Sequence, residues 1–465
     1  MTTDNIVEPA AAIPAATDAT PAESTILTNA PVLTDDKVVA ETLKDASTGD
    51  HKEATFSKEA AAVPKDQQKN VVIIGGSCCA VSSMLTAKTI LPKTHRLIVI
   101  EKHSHFHYMF AFPRATVISG WENELFVPYT KMFESPEKGE VVQALAVSMT
   151  KTHVQLDREV PGFGNQIEYE YLIYATGSRH PEPGNLNDCD TKESAIARLR
   201  EYQEKIKKST KVLIVGGGAV GMELATEIRE HFPEKEVTLV HSRDRYMPIY
   251  LPTMSKKCFK TMEKFGVKQI MGDRVIIPEG GFKDDFQMIK VKTKNGLEIE
   301  CDYQVLCTGM TPQSDVLKTL APKAVDPKTG LVMCKPTLQI EDDEFPNIYT
   351  CGDVANLNVM KTGGAAWGQA DLCVRNIAKM IDSKKKSDAS GKQVLHEKLG
   401  KYKPIAPQIM LYFGVAWGIC QLKLFGFLFA TDWKFLIGRF FSYNIHATRA
   451  WLWLNTPMSK ETADL

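Results

Sequence analysis

The sequence lacks several features that would assign a protein to a class at once. Its 56 basic residues balance its 56 acidic residues, so the formal net charge is +0 and we expect no nucleic-acid partner. The ten cysteines are scattered without regular spacing, which excludes a disulfide framework and favours reduced thiols in a cytoplasmic protein. No HExxH motif and no CxxC pair occur, so neither structural zinc nor a paired redox dithiol is expected.

Only one histidine-containing stretch resembles a metal motif. His103, His105 and His107 alternate in the sequence HSHFH. Alternate spacing in a loop is weak support for a bound ion, since metal ligands usually come from several elements. We interpret the three side chains as solvated or packed histidines and predict no metal site.

The N-terminal part of the chain has no arginine and no persistent apolar period. Residues 1–70 contain twelve acidic residues and six lysines, and they are rich in Ala, Thr, Pro and Ser. This composition is typical of a disordered acidic tail, which we place at residues 1–69. It is the opposite of a mitochondrial presequence, and the start MTTDN offers no glycine for myristoylation.

What the chain does contain is the same local pattern twice. One copy includes VVIIGGSCCAVSSM (Val71–Met84) and continues into RLIVIE, and the other begins with KVLIVGGGAVGMELATEI at Lys211 and continues into EVTLVHSR. Each copy has a buried-strand run, a glycine-rich turn, a helix and a second strand. The sequence therefore predicts an α/β protein with two Rossmann-like dinucleotide-binding domains.

The second glycine-rich turn matches the dinucleotide fingerprint at all three positions. Gly216 permits the tight turn, Gly218 lets the backbone approach a pyrophosphate, and Gly221 lets helix and strand pack closely. The strand that follows ends in His241-Ser242-Arg243 and carries no acid for a ribose 2′-hydroxyl. An arginine here favours NADPH, or tolerance of both nucleotides; the alternative is that Arg243 is only a solvated loop charge.

The first turn is a modified version of the second. Gly75 takes the first glycine position, Ser77 the second and Ala80 the third. The fingerprint tolerates alanine at the third position, and a serine hydroxyl can donate to phosphate. The next strand ends in Glu101, which suits a ribose hydroxyl. We therefore predict a working dinucleotide site.

Two adjacent cysteines, Cys78 and Cys79, lie in this first turn. A redox pair is one interpretation, but the usual dithiol motif has two residues between its cysteines. A bound pyrophosphate beside the thiols would also disfavour their thiolate forms. We favour small space-filling residues over redox chemistry.

The ordered set of motifs resembles a known family. Beside the two turns, the supporting stretches are FHYMFAFPRA, YLIYATGS, VLCTG, NIYTCGDVA and KYKP. Together, from Asn70 to the C-terminus, they resemble the two-dinucleotide-binding flavoproteins. Within these, the chain is most similar to the ferroptosis suppressor and apoptosis-inducing-factor-like subfamily, which is related to the type II NADH:quinone oxidoreductases.

The resemblance implies that different parts of the chain bind FAD and NAD(P)H. FAD would bind to residues 70–190 and 312–382. The co-substrate NAD(P)H would bind to residues 191–311. Residues 383–395 would form a linker, and residues 396–465 would form a C-terminal segment that faces the acceptor or a membrane. The positions expected to contact FAD are Gly75, Gly76, Ser77, Cys78, Cys79, Ala80, Glu101, Lys102, Arg114, Thr176, Gly177, Gly352 and Asp353. Those expected to form the nucleotide side are Gly216, Gly218, Gly221, His241, Arg243 and Gly309.

Two further positions are candidates for the chemistry. By the resemblance, Glu223 faces the flavin–nicotinamide junction and Lys361 lies near the flavin, where a cation would stabilise negative charge on the reduced flavin or on a quinone oxygen. The alternatives are a first-turn acid that compensates the helix dipole and a surface lysine. Asp353, expected at the FAD ribityl–phosphate, has the alternative of a helix N-cap or turn residue.

Together, these expectations predict a flavoenzyme that passes a hydride from NAD(P)H to FAD and then passes electrons on to a quinone. No CxxC or Cys-x4-Cys follows the first turn, so a disulfide reductase is not favoured. The alternatives are a redox sensor linked to cell death and a reductase of a protein acceptor. A monomer and a homodimer are both compatible with the sequence.

The C-terminal segment is rich in aromatic residues. Residues 401–457 contain 14 of the 39 aromatic side chains, four of the six Trp, and six basic residues against one acid. The part from Lys434 to Leu454 favours contact with a membrane or lipid-droplet surface, as in a peripheral protein of the mitochondrial outer surface; the alternative is packing as a third layer. No apolar run there reaches ~18 residues, so we expect no spanning helix.

Overall fold

The computed structural model describes residues 63–390, 398–415, 417–424, 426–432 and 445–457. Most of the predicted tail therefore lies outside the described residues, as does much of the basic-aromatic stretch from Lys434. Residues 63–69, assigned to the tail from sequence, already belong to the folded part. They contain a turn of 3₁₀ helix, Lys65–Gln67, whose first lysine pairs with Glu140 at 2.7 Å.

The strands and helices alternate through most of the chain. In chain order the strands are β1 (Lys69–Ile74), β2 (His95–Glu101), β3 (His105–His107), β4 (Phe126–Pro128), β5 (Gly139–Gln143), β6 (Ala146–Met149), β7 (His153–Val160), β8 (Gly164–Glu168), β9 (Tyr171–Tyr174), β10 (Ser178–Arg179), β11 (Lys211–Val215), β12 (Glu236–His241), β13 (Lys268–Met271), β14 (Ile289–Lys292), β15 (Glu298–Cys301), β16 (Tyr303–Leu306), β17 (Thr311–Pro312), β18 (Ile348–Thr350), β19 (Ile409–Phe413), β20 (Trp417–Leu424) and β21 (Phe427–Asp432). The α-helices are α1 (Cys78–Ile90), α2 (Phe112–Ala115), α3 (Lys192–Lys208), α4 (Ala219–His231), α5 (Pro252–Lys264), α6 (Asp315–Lys318), α7 (Gly363–Ser390) and α8 (Ala447–Trp453). Further 3₁₀ turns lie at Met109–Ala111, Glu122–Leu125, Tyr129–Lys131, Pro322–Ala324 and Gly352–Val354.

The first sheet is parallel and has the order β18-β9-β1-β2-β5. Its central strands are buried on both faces, which explains the continuous apolar run VVII in β1. The strand order reverses at β1, so the carboxyl ends of β1, β9 and β18 meet at one topological switch point. This edge brings together three segments that are far apart in sequence: the first glycine turn, the ATG stretch (residues 175–177) and the GD stretch (residues 352–353).

The second sheet repeats this arrangement with the parallel order β13-β12-β11-β16. Its switch point lies between β11 and β16, beside the second glycine turn. The prediction of an α/β protein with two Rossmann-like domains is confirmed. The short pair β10 and β17 connects the two halves, since its strands follow β9 and β16.

The remaining strands form antiparallel sheets: β3-β4 and β6-β7-β8 in the first half, the hairpin β14-β15 in the second, and β19-β20-β21 near the C-terminus. Helix α7 extends to Ser390, so it includes the first part of the linker predicted at 383–395; residues 391–397 are outside the described ones. Helical ion pairs such as Lys386–Asp382 at 2.6 Å explain why a lysine-rich stretch remains helical. Within the described ranges, no helix is both long and apolar enough to cross a bilayer.

A buried ion pair joins three parts of the fold. Arg114 on α2 donates from Nε and Nη2 to Glu227 Oε1 on α4, both at 2.7 Å, and Nη2 also donates to the Gly414 carbonyl oxygen at 2.7 Å. Both side chains are essentially inaccessible to solvent. Burial raises the pKa of Glu227, and the Arg114 guanidinium opposes that rise. The pair therefore fixes α2, α4 and the end of β19 against one another.

We expect Arg114→Met to lower the free energy of unfolding by about 3–5 kcal/mol, because it leaves the Glu227 carboxylate buried without a countercharge. The double variant R114M/E227L should lose clearly less, since neither ion then has to be desolvated. Urea unfolding followed by circular dichroism measures both. Equal losses in the single and double variants would contradict an electrostatic origin.

Candidate functional site

The first glycine turn has no room for side chains. Gly75 has a φ of +112°, and a Cβ there would overlap the carbonyl oxygen of Ala175 at the end of β9. A Cβ on Gly76 would collide with the Tyr129 hydroxyl and with Glu101. The turn therefore keeps β1 and β9 close and exposes its backbone to a ligand.

Helix α1 begins directly after this turn. Ser77 is its N-cap residue, but the serine hydroxyl makes no capping bond, so it does not consume a first-turn N–H. Ala80 is fully buried, which explains why only a small residue fits at the third fingerprint position. A helix N-terminus with uncapped N–H groups suits a pyrophosphate.

Glu101 is held in the position expected for a ribose acid. Its Oε2 accepts from the Gly76 N–H at 2.5 Å, and its Oε1 accepts from the His103 N–H at 2.9 Å and lies 2.7 Å from His103 Nδ1. Burial alone would raise the pKa of Glu101, but the contacts with His103 and the Gly76 N–H prevail and lower it to about 2. The side chain is therefore a carboxylate at neutral pH.

Polar atoms without partners surround this carboxylate. His103 Nε2 and both ring nitrogens of His107 are buried and have no hydrogen-bond partner among the described residues. The two rings lie 4.2 Å apart, and burial lowers the pKa of His107 to about 3. Orphaned polar groups beside a glycine turn and an acid fit a cofactor with hydroxyl and purine groups, such as FAD.

The GD segment completes the first site. Asp353 lies in the 3₁₀ turn after β18, and its Oδ2 accepts from the Ser178 hydroxyl at 3.0 Å. The Gly352 N–H donates to the buried Gln369 Oε1 at 2.8 Å, which fixes the turn against α7. Asp353 is not the N-cap residue of this turn, which is Cys351, so the capping alternative does not describe it.

Lys361 is not a freely solvated surface lysine. Its Nζ donates to the carbonyl oxygen of Ala355. Burial lowers the pKa of Lys361, and Asp353 partly opposes this. The structure thus brings this cation near the carboxylate of Asp353.

The two cysteines of the first turn are packed as protonated thiols. Burial, with Cys79 next, raises the pKa of Cys78 to about 12. The hydrogen bond to Cys351 and then burial raise that of Cys79 well above its ordinary value. Its Sγ also lies against Gly352 and 3.7 Å from the Ala366 carbonyl oxygen. Cys79 is buried and Cys78 half-buried, and both thiol pKa values are raised, whereas a reactive thiolate has a lowered pKa; this favours the space-filling interpretation.

Two strand-end loops meet between the halves of the protein. The Thr176 hydroxyl donates to the Gln313 carbonyl oxygen at 2.6 Å, and the Gln313 N–H donates to the Gly177 carbonyl oxygen at 3.1 Å. Gly309 precedes this pairing and lines a cavity of about 670 Å³ that also includes His180 and Thr308. Lys102 donates to the carbonyl oxygen of Asn187, a residue that lines this cavity.

The second glycine turn has the same construction as the first. Gly216 has a φ of +118°, and a Cβ there would overlap the Cys307 carbonyl oxygen, while one on Gly221 would overlap the Gly216 carbonyl oxygen. At Gly218, by contrast, nothing lies within 4 Å of where a Cβ would be. This open side, at the N-terminus of α4, is where a second pyrophosphate fits.

Glu223 lies where this helix meets the C-terminal sheet. Its Oε1 accepts from the Tyr412 N–H at 3.0 Å. Glu223 is the fifth residue of α4, whose first turn contains no acid, so the alternative of a first-turn acid that compensates the helix dipole is wrong. Burial, and then the nearby Glu227, raise the pKa of Glu223 to about 8, against the opposing effects of the Tyr412 N–H and Arg114. A carboxyl group with this pKa is mostly protonated at pH 7.

Possible metal ligands in the described ranges are already engaged. Among the residues that the structure describes, only Glu227, Glu230 and His231 bring three ligand atoms within 4.8 Å of one another. Glu227 binds Arg114, Glu230 accepts from the Val415 N–H at 2.6 Å, and His231 Nδ1 lies 3.0 Å from the Glu227 carbonyl oxygen.

Sequence reasoning missed the partners that hold these residues. His103, Gln369 and Tyr412 were not among the predicted site residues, although each bonds to a residue or turn that was. Arg114, expected near the flavin, is bound to Glu227 and the Gly414 carbonyl oxygen. The sequence indicated only that Glu223 and Glu227, four residues apart, lie on the same face of a helix.

The fold and the two sites define a class: a flavoprotein with one domain for FAD and one for NAD(P)H. A family model described as "Pyridine nucleotide-disulphide oxidoreductase" matches residues 69–370. The chain belongs to this family, and it is an NAD(P)H-dependent FAD oxidoreductase.

Comparisons with individual proteins agree. The chain is 29% identical over 378 residues to Fe-regulated protein 8 of Mycosarcoma maydis, covering 77% of this chain and 90% of that protein. It is 31% identical over 324 residues to ferroptosis suppressor protein 1 of Taeniopygia guttata, covering 69% and 83%. The fold resembles the sulfide:quinone oxidoreductase of Aquifex aeolicus, with a TM-score of 0.62, 16% identity, and coverage of 83% and 92%. The subfamily resemblance is thereby confirmed.

The lowered pKa of Glu101 predicts a specific loss of stability in acid. Its folded-state pKa of about 2 is below the ordinary value of 4.5, so its contribution is complete above pH 4.5 and disappears as the pH falls toward 2. We expect E101Q to be about 1–3 kcal/mol less stable than the parent at pH 7. Urea midpoints at several pH values should show the difference shrinking below pH 4.5.

A suitable control is Glu204→Gln, which changes an exposed glutamate of α3. It should leave the midpoints unchanged across the same pH range. A constant difference between E101Q and the parent down to pH 2 would show that the charge of Glu101 is not what stabilises the turn.

Proposed function

We propose that this oxidoreductase reduces a quinone-type acceptor at the expense of NAD(P)H. Bound FAD would take a hydride from the nicotinamide and release its electrons to a second substrate. The observation that carries the choice of acceptor is the state of Cys78 and Cys79. They are adjacent, and both thiol pKa values are raised. A route through a protein dithiol is therefore disfavoured, and a small diffusible acceptor is favoured.

The chain's own residues supply orientation and charge. The turns at Gly75 and Gly216 are placed to hold one dinucleotide each, on separate sheets. Lys361 is a partly buried cation near the GD carboxylate, where it would stabilise negative charge that develops during electron transfer. The resemblance to type II NADH:quinone oxidoreductases implies the same acceptor class.

Reduction of a quinone to a quinol consumes two electrons and two protons, whereas NAD(P)H supplies two electrons and one proton as hydride. One further proton must come from water. Glu223 is protonated at neutral pH and hydrogen-bonded to the Tyr412 N–H, so it is the residue we assign to deliver that proton. By the resemblance, Glu223 would lie at the flavin–nicotinamide junction.

The central test is anaerobic mixing of the yellow protein with NADH or NADPH. Rapid loss of the flavin absorbance near ~450 nm, followed by recovery when a soluble ubiquinone analogue is added, is the expected result. Slow bleaching with a stable charge-transfer band would support the redox sensor. Fast bleaching without recovery by any quinone would point to a protein acceptor. Either result would overturn the proposal.

For Glu223 we expect Gln substitution to lower kcat with quinone by about 10²-fold and to leave KM nearly unchanged. In the parent, kcat should fall as the pH rises through about 8, because the carboxyl group then loses its proton. The E223Q variant should lack this limb. Steady-state kinetics between pH 6 and 9.5 provide the measurement.

Glu230→Gln is the matched control, because Glu230 lies on the same helix and accepts a backbone N–H from the same C-terminal segment, at Val415. It should keep both kcat and the pH profile of the parent. If E230Q reproduced the effect of E223Q, the cause would be loosened docking of the C-terminal sheet and not proton delivery.

A further inference from the structure

Residues 178–184, which we call the connecting segment, contact elements of both cofactor sites. At the start of the segment, the Ser178 hydroxyl donates to Asp353 Oδ2 at 3.0 Å, in the GD stretch of the first site. At its end, a Cβ on Gly184 would lie 3.7 Å from Cγ1 of Val220, the second residue of α4. The connecting segment therefore extends from the FAD side to the N-terminus of the helix that follows the second glycine turn.

His180 lies within this segment and is hydrogen-bonded to Ser178. Its Nε2 is 2.9 Å from the Ser178 hydroxyl oxygen and 3.9 Å from Asp353 Oδ2. Because the hydroxyl donates its proton to the carboxylate, its oxygen must accept from the imidazole, and Nε2 carries the ring proton. The three groups thus form one chain of hydrogen bonds, from imidazole through hydroxyl to carboxylate.

This chain engages only one of the two carboxylate oxygens of Asp353. Oδ2 accepts from Ser178, whereas in the part of the chain that the structure describes no group donates to Oδ1. Oδ1 is therefore the oxygen available to a sugar hydroxyl of FAD. Since the carboxylate is planar, the bond from Ser178 also sets the orientation in which Oδ1 is presented.

The imidazole also borders the space beside the second glycine turn. His180 lines the cavity of about 670 Å³ together with Thr308 and Gly309. A Cβ on Gly216 would lie 3.3 Å from the Thr308 nitrogen, so this wall of the cavity adjoins the turn. The His180 side chain is 37% exposed, and its backbone is held by Asn187 Nδ2, which donates to the His180 carbonyl oxygen at 2.7 Å. A nucleotide that fills the cavity would therefore cover the imidazole.

We propose that His180 and Ser178 couple the two sites, so that a pyridine nucleotide bound at the second glycine turn tightens the binding of FAD. Excluding water from the imidazole strengthens its bond to Ser178, and this strengthens the bond from Ser178 to Asp353, because linked hydrogen bonds polarise one another. By thermodynamic linkage, bound FAD tightens nucleotide binding by the same factor. The proposal needs only the two cofactor sites and is independent of the electron acceptor.

The test measures how fast FAD leaves the full-length, FAD-loaded protein. After dilution, the fluorescence of released FAD is followed without nucleotide and with saturating NAD⁺ or NADP⁺, neither of which carries a hydride. We expect saturating nucleotide to slow the release by about 5–10-fold. An equal rate of release with and without both nucleotides would overturn the proposal.

Three variants and one control assign the coupling to the hydrogen-bond chain. Ser178→Ala removes the hydroxyl and His180→Leu removes the Nε2–H, so in each the slowing by nucleotide should fall below about 2-fold. His180→Gln should restore the slowing, because its amide can also donate to Ser178. Arg179→Gln is the matched control and should keep the parental slowing, since Arg179 lies between the two residues but bonds to Asp188 at 2.8 Å.

The ratio of the two release rates separates coupling from a loss of stability. A variant that is only less stable releases FAD faster under both conditions and keeps the parental ratio. That result in either S178A or H180L would refute the assignment, so one of the two is sufficient if the other does not fold. Loss of the ratio in R179Q would also refute it.

Two further features of the design keep the outcome specific. The nucleotide concentration is raised in each variant until the release rate is constant, so weaker nucleotide binding is not mistaken for lost coupling. No hydride is transferred, so a protein that shows the coupling but reduces no quinone would disprove the proposed activity and leave the coupling standing. A protein that reduces quinones without the coupling would do the opposite.

Discussion

The fold depends on one constraint, which is that each glycine turn must bring its backbone within reach of a side chain at the end of the neighbouring parallel strand. Gly75 and Gly216 allow this, because their left-handed backbone places the next N–H toward the strand end and any Cβ would strike the adjacent strand. The bonds Gly76–Glu101 and Gly217–His241 then hold turn, helix and strand end as rigid units. These bonds position the N-termini of α1 and α4, where we expect the phosphates to bind.

A second group of interactions sets the electrostatics between the two halves. Two contacts follow one another along α4. The Tyr412 N–H bonds to Glu223, and Arg114 bonds to Glu227 one turn further along the helix. Because Arg114 neutralises Glu227, and the Tyr412 N–H only partly offsets the burial of Glu223, the two carboxyl groups have different roles. One fixes the architecture, and the other remains protonated at neutral pH, as the proposed delivery of a proton requires.

Much of this could be predicted from the sequence, since it depends on local patterns. Apolar runs, glycine spacing and the strand-end Glu101 indicated two dinucleotide-binding domains, because each feature belongs to one continuous strand–turn–helix stretch. Long-range pairings could not be predicted in this way. Nothing near Arg114 in sequence indicates a bond to Glu227 or to Gly414, and the helical continuation of α7 through a lysine-rich stretch required the pairing of its side chains with acids.

The sequence by itself determined the fold class, the positions of both phosphate turns and the lack of a CxxC dithiol, because these follow from residue type and spacing along a single segment. Only the tertiary structure decided the state of the individual groups. Burial and particular neighbours keep Glu101 ionised and keep Glu223 and Cys78 protonated. The physical reason is that the charge of a side chain depends on its surroundings, and these surroundings are brought together from segments far apart in the chain.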